Sequence, residues 1–148
     1  MAFRYALQAV LRLRRSLEHQ EEQRLAALTG IVARLRADLE ARQRAQLMER
    51  RAELEDPDTI HLGAQLHFRA FRDAAYEQAM KRRAAQLREA EQGRLEQLKI
   101  YQDARRKREI FESLRNHQQH LYNLDVARRQ QQSNDEAYLL RTLLPPEV

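Results

Sequence analysis

Apolar residues return at helical spacing from the start of the chain. Phe3, Leu7, Val10, Leu11 and Leu17 trace one stripe, and Leu25, Leu28, Val32, Leu35 and Leu39 follow in alternating steps of three and four. That alternation is a heptad seam, narrow enough to suit one partner helix rather than a broad core. Between Leu17 and Leu25 the seam holds Glu18, Glu21 and Arg24, which predicts a stutter or local unwinding. The stripe resumes at Leu47 and Leu54 and stops at Glu55-Asp56-Pro57-Asp58-Thr59. Pro57 disfavours helical geometry at Asp56, and Asp58 or Thr59 can accept the free amides of a new helix. The pattern therefore predicts a first helix over about 3–54 and a reversal over about 55–63.

A second helix is predicted over about 64–140, followed by a frayed tail at 141–148. Its seam candidates are Leu62, Leu66, Tyr76, Met80, Leu87, Leu95, Leu98 and Tyr101, then Ile110, Leu114, His117, Leu121 and Leu124. The polar run from Gln102 to Glu109 interrupts them, which predicts a second register shift. Gly30 and Gly93 interrupt helical pattern, each at a cost of about 1 kcal/mol relative to Ala, and mark a bend or a close approach. Two long helices joined by a short loop bury both seams by packing antiparallel, so the expected fold is all-α: one stalk-like domain, a long antiparallel two-helix coiled coil or αα-hairpin. At ~1.5 Å per residue the second helix is longer than the first by roughly 35 Å. Either it breaks or folds back, or its C-terminal part runs on unpaired and leaves an apolar stripe wet.

Composition narrows the reading in the same direction. Ala, Glu, Lys, Leu and Arg make up 57% of the 148 residues, whereas Ile, Val and Thr supply only 11. Long helices are favoured and a sheet is excluded. The chain has no Cys, which removes disulfides, thiol nucleophiles and thiolate metal sites. With no long apolar run and no signal peptide, it reads as soluble and cytoplasmic. Its net charge is +5, and 24 of the 27 basic residues are Arg. The charge is uneven: Arg4, Arg12, Arg14 and Arg15 stand in a stretch with no acid, and Arg105-Arg106-Lys107-Arg108 is an unbroken basic run. Each can attract an acidic partner.

Catalytic chemistry is missing. The glycines are too far apart for a phosphate-cradling loop, and Ser16, Ser113 and Ser133 lack the turn that exposes a nucleophile. His117 and His120 share a helical face and with Glu112 or Asp125 could hold a metal, but a half-buried seam histidine beside an exposed one is the plainer reading. Paired carboxylates abound, yet a thin hairpin has no enclosed pocket in which to raise a carboxyl pKa. The expectation is a protein that is not an enzyme and binds no cofactor or metal.

The opening segment carries a more specific signal. Phe3-Arg4-Tyr5-Ala6-Leu7-Gln8-Ala9-Val10-Leu11-Arg12-Leu13-Arg14 has the form aromatic, basic, aromatic, x, Leu, x, x, Val, Leu, x, Leu, Arg, and Glu18, Glu21, Glu22 and Leu25-Ala26 follow. This resembles the start of the FliJ family, small coiled-coil components of the flagellar type III protein-export apparatus. Asp135-Glu136-Ala137, after a Gln- and Arg-rich helix, resembles the Asp-Glu step near that family's C-terminus. The resemblance implies a hairpin similar to the central stalk of rotary ATPases. It implies a role in entering the hexameric export ATPase, stimulating it and touching the cytoplasmic domain of the export gate. It also implies links to export chaperones and a cytoplasmic location at the inner-membrane face of the flagellar base.

On that reading Phe3, Leu7, Leu11, Arg12, Arg14, Arg15, Arg128, Arg129 and Glu136 are the ATPase-binding candidates. The gate-binding candidates are Phe68, Phe71, Tyr76 and Met80, since one narrow stripe cannot bury Phe68, Phe71 and Tyr76 together; a folded-back segment around 60–66 is the alternative cover. Three rival readings remain. Arg105 to Arg108 on a helix is similar to a zipper protein's basic region, although Glu109 and Glu112 flank it. A membrane-surface helix suits the charge but not the narrow seam. A generic coiled-coil scaffold shares the fold.

Overall fold

The computed structural model describes residues 3–55 and 63–143. Two long helices pack against each other: α1, Gln8–Glu55, and α2, Gly63–Leu143. Among the described residues there is no strand. Helix α1 opens five residues later than the periodicity predicts. Residues 3–5 run outside the helix, and the Tyr5 carbonyl accepts the Gln8 amide at 3.2 Å before the helical ladder begins. It ends at Glu55, where Asp56-Pro57 follows. The predicted reversal at Pro57, Asp58 and Thr59, with Ile60 and Leu62, lies outside the described residues. Helix α2 continues through Thr142 and Leu143, past the predicted start of the frayed tail; 144–148 lie outside the described residues.

The burial pattern corrects the predicted register. The Leu25–Leu39 alternation does not stutter at its N-terminal side. Stepped back by heptads, the frame lands on Glu21, Glu18, Arg14 and Leu11, and each of these is buried or half-buried. Stepped forward it lands on Arg42 and Glu49, which are exposed, and on buried Gln46 and half-buried Glu53 rather than on Leu47 and Leu54, which are 66% and 87% exposed. Helix α2 behaves in the same way. Among its half-buried positions are 69, 73, 76, 80, 83, 87, 90, 94, 97, 101, 104, 108, 111 and 115, a series of alternating fours and threes with no shift between Tyr101 and Ile110; 72, 84, 91, 93, 98, 112, 119 and 122 beside it are half-buried too. Leu95, Ile110, Leu114, His117, Leu121 and Leu124 fall off that frame and are exposed, and Leu66, which continues the frame before Arg69, is exposed as well. Long charged side chains explain the continuity: their aliphatic stems lie along the partner helix while their heads meet acids across it.

The contacts cluster into two units, Met1–Glu18 with Asp103–Val148, and His19–Gln102. In the second unit Val32 is 5% exposed and is flanked on the seam by half-buried Leu25, Leu28, Leu35 and Leu39. Arg83 reaches Asp38, Arg36 donates to Glu91 at 2.6 Å, Tyr76 Oη donates to the Arg42 carbonyl at 3.4 Å, and Arg72 pairs with Glu53 at 2.7 Å. Buried Gln46 donates to Asp73 at 3.4 Å. In the first unit Leu11 is fully buried and Tyr5 is 7% exposed. In the second unit the α2 partner's number falls as the α1 residue's number rises, from Arg36 with Glu91 to Glu53 with Arg72. Gly30 and Gly93 are not close approaches, since a Cβ built on either meets nothing within 4 Å.

Candidate docking surfaces

The first unit holds most of the residues that the opening segment singles out, and their environments differ. Tyr5 Oη donates to the Phe111 carbonyl at 3.1 Å, a long-range bond that anchors the non-helical segment before α1. The Phe3 ring lies against Tyr122, centroids 5.6 Å apart and tilted by 49°. The Arg14 guanidinium carbon sits 5.8 Å from the Phe111 ring centroid, a cation–π contact, with its Nε buried and without a hydrogen-bond partner. Arg15 donates to Glu112 at 2.8 Å, and Arg108 grips Glu18 with two nitrogens at 2.7 and 3.2 Å while also reaching Glu112. Hydrogen bonds from Arg15 and then Arg108 hold the Glu112 carboxyl below its ordinary range. The Glu18 carboxylate raises the Arg108 guanidinium above its own.

These contacts sort the ATPase-binding candidates. Leu11 is wholly interior, Leu7 is 37% exposed and Phe3 is half-buried. Arg14 and Arg15 face α2, whereas Arg12 faces solvent. Arg12 joins Phe3, Arg4, Tyr5, Gln8 and Arg115 around an open hollow of about 390 Å³. The hollow gathers three guanidiniums, two aromatic rings and no carboxylate. Arg4 and Arg115 were not separated from the general basic charge by sequence reasoning, because Arg115 reaches this place only through the pairing of the helices. Of the C-terminal candidates, Arg129 bonds Asp125 at 2.7 Å, and Arg128 and Glu136 are exposed.

The gate-binding candidates also divide. Tyr76 and Met80 are half-buried and line a cavity of about 670 Å³ with Gln43, Gln46, Leu47 and Asp73 among its walls. Phe68 and Phe71 stand out at 66% and 74% exposure, Phe68 beside a smaller hollow of about 330 Å³ with Arg69 and Arg72. Of the alternative cover around 60–66, residues 60–62 lie outside the described residues, and Gly63 to Leu66 are exposed in the opening turn of α2. Leu47 is the wall that sequence reasoning placed wrongly: one step off the heptad frame puts it at the rim instead of in the seam.

The basic run is largely neutralised by near neighbours. Arg105 pairs with Glu109 at 2.8 Å, Lys107 with Asp103 at 2.7 Å, and Arg108 with Glu18. His117 and His120 are both exposed, and among the described residues no three His, Asp or Glu side chains gather in a metal-holding group. Among those residues, too, no helix is long and apolar enough to cross a membrane. No family model, curated protein or solved structure matches the chain.

Proposed function

We propose that the chain is a non-enzymatic component of a flagellar type III protein-export apparatus, an antiparallel coiled coil that enters and stimulates the hexameric export ATPase and contacts the export gate. The observation that carries this reading is the cationic hollow of Phe3, Arg4, Tyr5, Gln8, Arg12 and Arg115, built on the opening segment that resembles the FliJ family. Three guanidiniums with no acid among them suit a carboxylate-lined partner loop, and a water-poor ring interior strengthens such charge-assisted bonds. The exposed Phe68 and Phe71, beside the cavity of Tyr76 and Met80, suit the gate's cytoplasmic domain. Export chaperones are further candidate partners, and the working location is the cytoplasmic face of the inner membrane at the flagellar base.

A pull-down of the chain with the export ATPase and the gate's cytoplasmic domain tests the reading. Replacing Arg4 and Arg12 together by Glu is expected to abolish ATPase stimulation and leave gate binding, whereas Phe71→Ala is expected to weaken gate binding and leave stimulation. Capture of neither partner overturns the proposal. The nucleic-acid reading is disfavoured by the ion pairs of Arg105, Lys107 and Arg108, which leave little of the basic run for phosphate.

A further inference from the structure

Every residue of α2 from Asn123 to Leu143 is exposed, so among the described residues this length of helix has no packing partner. Most of a protein helix's stability comes from packing an amphipathic face, which this length lacks among the described residues. Its residues are arranged with a polarity that reads alike from both ends. Counted outward from Gln132, Arg128 and Arg129 on one side stand where Asp135 and Glu136 stand on the other. Leu124 answers Leu140, Leu121 answers Leu143, and Ala127 answers Ala137. At about 100° per residue, Leu121, Leu124, Leu139, Leu140 and Leu143, with all four of those charges, fall within about 80° of Gln132 on one helix face. The leucines are 45–76% exposed. Among the described residues Arg128, Asp135 and Glu136 make no ion pair, and Arg129 pairs only with Asp125.

We propose that this face binds a second copy of itself, the two α2 segments lying antiparallel about a twofold axis at Gln132. The occupant follows from charge complementarity. Turned end for end, the arginine pair of one copy lies across from the acid pair of its partner, and the leucines at each end meet the leucines of the opposite end. A parallel pairing instead sets arginine against arginine and acid against acid. Charge balance agrees. The segment carries Arg128, Arg129 and Arg141 against Asp125, Asp135 and Glu136, so it is neutral in a chain of net charge +5. Two copies can therefore meet here with least repulsion. Asp125 is the one mismatch, since it stands across from Leu139; its bond to Arg129 already satisfies it. The pairing does not depend on the export reading, but Arg128, Arg129 and Glu136 cannot serve a second copy and an ATPase together.

Sedimentation equilibrium of the full chain, at concentrations up to about 1 mM, tests it. Wild type is expected to dimerise, and both Arg128→Glu/Arg129→Glu and Asp135→Arg/Glu136→Arg are expected to be monomers of unchanged helicity. Mixing the two variants is expected to restore a one-to-one dimer. Because the chain has no Cys, Gln132→Cys is expected to form a disulfide-linked dimer on oxidation far faster than Ala127→Cys, which points off the face. A monomeric wild type, homodimers of the charge-reversed variants, or equal crosslinking of the two cysteine variants overturns the proposal.

Discussion

Among the described residues Leu11 is the one side chain removed entirely from solvent, which makes it the most sensitive point of a thin interface. Leu11→Ala is expected to lower stability by about 2–3 kcal/mol, near the low end for buried leucines because an open seam can close part of the void. Chemical denaturation followed by helicity checks this. Gly30 and Gly93 lie at the other extreme. With open space around each added Cβ, Gly30→Ala and Gly93→Ala are each expected to raise stability by about 1 kcal/mol, and a loss from either would reveal a hidden contact. Glu112 gives the first unit a pH dependence. Hydrogen bonds from Arg15 and then Arg108 hold its folded-state pKa below the ordinary carboxyl value. The stability it contributes is therefore complete above that value and disappears as pH falls through the lower folded value. Unfolding midpoints of wild type and Glu112→Gln should converge as the solution is acidified and differ near neutral pH.

At the scale of the helix, the 3–4 alternation from Leu25 to Leu39 was legible because leucine and valine mark it. The rest of the frame was present in the same numbers but hidden by chemistry. Glu18, Glu21, Gln46, Arg83, Arg94 and Arg108 occupy seam positions, and a search for apolar residues steps past them to Leu47, Leu54, Leu95 and Ile110. Each of those lies off the frame and stays in water. Pairing made the difference, since Glu18 becomes a seam residue only when Arg108 stands opposite, 90 positions away in sequence. The same dependence hid the cationic hollow, where Arg4 and Arg12 meet Arg115. Gln46 offers a direct test of the frame. Gln46→Leu places an apolar side chain at a buried heptad position and removes only a 3.4 Å bond to Asp73. A rise in stability of about 1 kcal/mol is expected, with looser register because a polar seam residue is lost.

For the molecule as a whole, three buried apolar residues form the described core: Tyr5, Leu11 and Val32. The rest of the adhesion is distributed over half-buried stems and ion pairs, so no single region dominates. Native-state hydrogen exchange should follow that distribution. Amides around Leu11 and from Leu25 to Leu39 should exchange slowest, and those from Asn123 to Leu143 fastest in dilute solution. Raising the chain concentration should slow the second group alone if the α2 segments pair.

The bond from Tyr5 to Phe111 joins residues 106 positions apart, and the Arg108 grip on Glu18 spans 90. A ribosome adds residues at about 5–20 per second, so the opening segment waits on the order of 5 to 20 s after its own synthesis before its partners exist. Through that interval Leu11, wholly interior in the folded chain, has nothing of its own chain to cover it. The basic residues threaded through the nascent opening segment keep it from self-association while it waits.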